Sequence, residues 1–136
     1  MKVATVLCLV LSMSVCSCSR ANTQTVKTPS IKLPSGGAVE VLGIVAIHFT
    51  NGPPALMLKY QTTKAIDDKT ELREEAGEVW DKFRPQVEKQ GYKNAILSAN
   101  DAPTGFIFTS NSTYNFVFDQ RPDGSWHCSF DDKKQQ

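Results

Sequence analysis

The sequence predicts an α+β domain: one mostly antiparallel sheet in the order β-β-α-β-β-β-β, with a single amphipathic helix packed on one face. Three observations predict it. Runs rich in β-branched and aromatic residues recur from Val39 onward, separated by clusters of Gly, Pro, Asn and Asp. One segment carries apolar residues at helical steps. Two strand-like runs precede that segment and four follow it, an arrangement that places a helix across a sheet. The domain is assigned to residues 39–131, close to the common domain size of about 100 residues, with residues 132–136 as a polar tail.

The first run, "VEVLGIVAIHF" (Val39–Phe49), has no proline and is rich in Val and Ile, so it reads as a strand. "NGPP" (Asn51–Pro54) is a turn, and "ALMLKYQT" (Ala55–Thr62) alternates, with Leu56, Leu58 and Tyr60 on one side. In "DDKTELREEAGEVWDKFRPQVEKQG" the residues Leu72, Ala76, Val79, Phe83 and Val87 recur at steps of three or four, and Trp80 widens the stripe. Asp68 with Glu71 predicts a reciprocal capping box, and Gly91 predicts the stop. Pro85 lacks an amide hydrogen and predicts a kink or break near Arg84. Four further strands are expected at Asn94–Ala99, Gly105–Ser110, Thr113–Asp119 and Ser125–Phe130. Phe106, Phe108, Tyr114, Phe116 and Phe118 give the second and third of these four runs an aromatic face, with "NS" (Asn111–Ser112) as a hairpin turn.

The first strand does not alternate cleanly. Simple alternation puts Val39, Val41, Val45, Ile47 and Phe49 on one side and Leu42, Ile44 and Ala46 on the other, where Ile107 and Val117 extend the second side. One helix covers one face. The second is either closed by sheet curvature around a central strand, or covered by the tether, a second copy or a partner. Leu42, Ile44 and Ala46 are therefore candidate interaction residues. Trp126, at a strand start between "RPDGS" and "HCSF", is another.

The start of the chain bears on location. Lys2 precedes an apolar run, Val3–Val15, broken only by Thr5, Cys8 and two serines. It is shorter than the roughly 20 residues of a stable span and has the grammar of an export signal, assigned to residues 1–17. "VCSC" (Val15–Cys18) resembles the lipobox of bacterial lipoproteins, an aliphatic residue and small residues before the cysteine that takes lipid. Cys18 fits that role better than Cys16, because Ser17 precedes it; Cys16 stands where alanine or serine is more usual. The resemblance implies a lipid-anchored, periplasm-facing protein of the bacterial envelope, and Ser19 implies transfer to the outer membrane. The competing site, Ser19-Arg20-Ala21, implies a secreted protein starting at Asn22. The following polar stretch, to residue 38, reads as a tether rich in Ser, Thr, Pro and Gly.

Of four cysteines only Cys128 stays in the predicted domain, so no internal disulfide can form there. Fifteen basic and 14 acidic residues fall to 14 of each once Lys2 leaves, which gives no basic excess for nucleic acid. No Gly-rich phosphate loop or nucleophile elbow occurs. His127 and Cys128 are neighbours on a strand and point to opposite faces; a partner for the thiol would have to come from elsewhere, for example His48. No paired Cys or His spacing of a structural zinc site is present, and no metal or cofactor is expected. The helix face Glu71, Glu74, Glu75, Glu78 and Asp81 is interleaved with Arg73, Lys82 and Lys89 and reads as solvated. "NST" (Asn111–Thr113) matches a glycosylation sequon, relevant only to a eukaryotic secretory route.

"LMLKYQT" and "EAGEVWDKFRPQVEKQGYKNAILSAND" resemble small uncharacterised exported bacterial proteins, which implies no activity. The expected function is a non-enzymatic envelope lipoprotein with a periplasmic protein-interaction domain, its partner another protein or a second copy. The alternatives are a small-ligand carrier, whose aromatic face would line a void, and an inhibitor or immunity-type protein that binds a partner enzyme. An enzyme would have to bring at least two of His48, His127 and Cys128 together.

Overall fold

The computed structural model describes residues 29–103 and 112–129. They form an α+β domain with one helix and one sheet. The strands are β1 (Ser30–Lys32), β2 (Ala38–Ile47), β3 (Ala55–Gln61), β4 (Asn94–Asn100), β5 (Thr113–Gln120) and β6 (Trp126–Cys128), and α1 (Lys69–Lys89) lies between β3 and β4. Neighbours in sequence are neighbours in the sheet. Four pairings are antiparallel; β3 and β4, joined through the helix, are parallel, in register from Ala55↔Asn94 to Gln61↔Asn100. The expected strand Gly105–Ser110, with Phe106, Ile107 and Phe108, and the residue Asn111 lie outside the described residues, as do residues 1–28 with Cys18.

The helix forms as its spacing requires. Leu72, Ala76, Val79, Trp80, Phe83 and Val87 are all buried. They close on Leu56, Leu58 and Tyr60 of β3, Ala95, Leu97 and Ala99 of β4, and Phe116 and Phe118 of β5. Asp68 Oδ1 accepts from the Glu71 amide at 3.1 Å. The reciprocal half of the expected box is replaced: the Asp68 amide donates to the Ala65 carbonyl, and Glu71 pairs with Lys64 at 3.4 Å. Gly91, at φ 77°, ends the helix, with the Tyr92 amide donating to the Val87 carbonyl. Pro85 does not break it, contrary to expectation. Pro85 and Asp81, whose carbonyl loses its donor, both sit on the exposed side, where water can serve that carbonyl.

The folded unit begins earlier than residue 39. Ser30–Lys32, expected in the tether, is a strand because Ile31 and Leu33 alternate onto the core while Gly36 and Gly37, both at positive φ, turn the chain into β2. The Val41 amide then donates to the Pro29 carbonyl at 2.8 Å, one step beyond β1.

The faces of β2 also differ from simple alternation. Val41 pairs with Tyr60 and Gly43 with Lys59, so Leu42 is an extra residue in a β-bulge. Beyond it the strand is flipped. Ile44 and Ala46 oppose Leu58 and Leu56 on the helix side, whereas Val45 and Ile47 oppose Met57 and Ala55 on the helix-free side. Val39 and Val41 therefore share a face with Ile44 and Ala46, not with Val45 and Ile47.

Candidate interaction surface

The second half of β2 is the least covered apolar part of the described domain. β1 pairs with Ala38–Glu40 only, and Pro29 adds one bond at Val41. Among the described residues no strand pairs with Leu42–Ile47 on the side away from β3. The bulge residue Leu42 is 51% exposed; on the helix side Ile44 is 42% exposed and Ala46 is exposed, although their cross-strand partners Leu58 and Leu56 are buried in the core. The three candidate residues of this strand are thus exposed together, at the border the helix does not reach.

The helix-free face adds to this surface. Reading across the pairings, Val45, Met57, Ile96 and Val117 form one apolar row over four adjacent strands. Val45 and Val117 are 47% and 42% exposed. The rows on either side turn polar toward β5: Gly43, Lys59, Ser98 and Asn115 on one side, Ile47, Ala55, Asn94 and Asp119 on the other. The apolar area is therefore widest at β2, where Phe49 just past the strand is also half exposed.

Trp126 lies elsewhere and is already engaged. Its Nε1–H donates to Glu88 Oε1 at 2.9 Å, and its ring stands edge-on to Trp80, which stacks on Phe118 at 4.0 Å. It fastens β6 to the helix. Tyr114, Phe116 and Phe118, the described part of the aromatic face, pack on the same core, Phe116 and Phe118 buried against it.

The residues considered for chemistry are spread out. His48 follows β2 and lines a surface cleft of about 380 Å³ with Pro53, Pro54, Tyr92 and Lys93. His127 and Cys128 are on β6, separated from β2 by three intervening strands. His127 pairs opposite Asp119 on the helix-free side, and Cys128 is half-buried against the core opposite Phe118.

One polar site escaped the sequence reading. Glu75, expected on a solvated face, is 3% exposed. Its carboxylate accepts from the Thr62 hydroxyl (2.5 Å), the Thr63 hydroxyl (2.5 Å) and the Thr63 amide (3.1 Å). Charge-assisted bonds of this kind offset the cost of burying the carboxylate. Glu78 accepts from both the amide and the hydroxyl of Ser35, at 3.1 and 2.9 Å. The acidic face thus holds the β1–β2 turn and the segment after β3, around a cleft of about 210 Å³. The signal was present: Glu75 is three residues after Leu72 and four before Val79, inside the apolar stripe.

Burial, and secondarily the Glu75 carboxylate, pushes the Tyr60 hydroxyl well above its ordinary pKa. That hydroxyl has no hydrogen-bond partner among the described residues.

Neither a family model, nor a curated protein, nor a solved structure matches this chain.

Proposed function

We propose that the protein is a non-enzymatic lipoprotein of the bacterial cell envelope, anchored through Cys18, whose small periplasm-facing domain binds a protein through the second half of β2. The observation that carries the binding reading is the exposure of an uncharged strand segment, Leu42–Ile47, on both of its faces and along one edge. Natural sheets blunt such edges with charge, proline, bulges or very short strands; this segment has a bulge at its start, Leu42, but no charge or proline beyond it. An extended partner segment can add to it by main-chain pairing, with Ile44 and Ala46 supplying apolar contact on the helix side and Leu42 adding to it at the bulge. The "VCSC" leader supports the location.

The test of the anchor is the intact mass of the protein purified from its native membranes, beside a Cys18→Ala variant. An acylated N-terminal Cys18, with the variant released to the soluble fraction, is the expected result. An unmodified chain starting at Asn22 would replace the anchored reading with secretion. The test of the surface is site-specific photo-crosslinking from position 44. A discrete crosslinked product is expected there and not from Glu74, on the exposed far side of the helix.

A further inference from the structure

We propose that the partner of the β2 edge is a second copy of this chain, paired antiparallel through residues Gly43–Ile47 about a two-fold axis at Val45. This rests on the reading of that edge as the interaction surface, and names what binds it.

The fit comes from the register. β1 and Pro29 already occupy the edge as far as Val41. A partner strand centred on Val45 uses only the stretch beyond. In that pairing Val45 meets Val45 of the second copy, Ile44 meets Ala46, and Gly43 meets Ile47. Opposed residues share a face, so the Ile44–Ala46 contacts fall on the helix side and the Val45 and Gly43–Ile47 contacts on the other. Each Ile lies against Ala or Gly, and the one equal pair is β-branched. A two-fold contact must be complementary to itself, and this five-residue segment meets that condition. It contains no charge to repel its own copy, the usual device against such pairing.

The pairing also extends what is already built. The apolar row Val117–Ile96–Met57–Val45 would run on through the second copy in reverse order, giving one uninterrupted stripe across both sheets. The other edges discourage the same event, because β1 and β6 are three residues long. Five paired residues form a small contact against the roughly 1,200 Å² or more of a stable complex. Self-association is therefore favoured where copies are held together on a membrane, which raises their effective concentration.

The experiment uses the full chain in its native membranes, with Cys128→Ser as background. Across a two-fold antiparallel pair the two Val45 Cα atoms lie about 4.5–5.5 Å apart, within the range a disulfide spans. Under mild oxidation Val45→Cys is expected to give a disulfide-linked dimer. Met57→Cys, one strand inward on the same face, and the background alone are expected to stay monomeric. Adding Ala46→Lys to Val45→Cys is expected to abolish the dimer while the melting temperature of the monomer is unchanged. Equal crosslinking of Val45→Cys and Met57→Cys would overturn the proposal, since it reports random collision. No dimer, with a photo-crosslink from position 44 to a different protein, would overturn the second copy and leave the binding surface standing. A crosslink from position 44 to residues 22–28 of the same chain, or no crosslink at all, would overturn both.

Discussion

The two sides of the sheet hold apolar residues by different means. At the β5–β6 side, the three-residue strand β6 is fastened through side chains. Trp126 bonds Glu88 and abuts Trp80, which stacks on Phe118. At the β2 side, a longer and more apolar strand is paired past Val41, among the described residues, only with β3. Leu42, Ile44 and Val45 are about half exposed, whereas Phe118, no more apolar, is buried. The difference lies in where the helix passes. Hydrophobic content makes burial favourable, but only a neighbour supplies it.

The comparison can be broken by substitutions on each side. The largest effect is expected for Trp80→Ala, which removes the shared ring between Phe83, Phe118 and Trp126; a loss of about 3–5 kcal/mol should appear in denaturant unfolding. A smaller loss would mean that the two sides are less different than the packing indicates. Next is Glu75→Ala, which removes the carboxylate that accepts from the Thr62 hydroxyl and from the Thr63 hydroxyl and amide, and should cost about 1–3 kcal/mol.

Tyr60→Phe is expected to move the other way, gaining about 1 kcal/mol, because it deletes a buried hydroxyl that lacks a protein partner among the described residues. It also carries a pH signature. The folded-state pKa is raised, so the wild type holds this group's contribution below the unfolded value of about 10 and loses it as pH rises from there toward the folded value. Melting curves at rising alkaline pH should therefore slope more steeply for wild type than for the Phe variant. The smallest effect is expected at the open side. Leu42→Lys, at a half-exposed bulge, should change the stability of the dilute monomer by no more than about 0.5 kcal/mol. A large loss there would mean that Leu42 is packed in solution and would erase the contrast between the sides.

How much of this was legible in the sequence depended on periodicity. The helix could be read because six stripe residues repeat at its own period, and all six are buried. Its cap was half legible: Asp68 performs its role, but whether Glu71 turns back or reaches Lys64 is decided by tertiary neighbours. β1 was hidden because two apolar residues between prolines are too few to show alternation, and only the Gly36–Gly37 turn marked it. The bulge inverted the face assignment of half a strand, although Gly43 in a strand interior was its available sign. Counting faces against one helix left two outcomes for Leu42, Ile44 and Ala46, closure by curvature or exposure; they are exposed, but Ile44 and Ala46 lie on the helix side, so face counting did not supply the reason. Which aromatic would face outward was not legible: Trp126 looks like a contact residue until Glu88 and Trp80 are brought beside it from 38 and 46 positions away.

The parallel β3–β4 ladder has a consequence for how the chain reaches this state. On either side of it the sheet consists of antiparallel neighbours, β1-β2-β3 and β4-β5-β6, in which partners follow one another along the chain. Only the β3–β4 seam joins strands separated by the whole helix. Its closure carries a larger loop cost than pairing across the β2–β3 turn and must await the helix that bridges it. The domain is thus built like two leaves on a hinge: each leaf can assemble from neighbours in the chain, and shutting them along Ala55–Gln61 is the late step. A polypeptide divided in the loop before the helix should, by the same logic, yield two pieces that recognise each other along that seam.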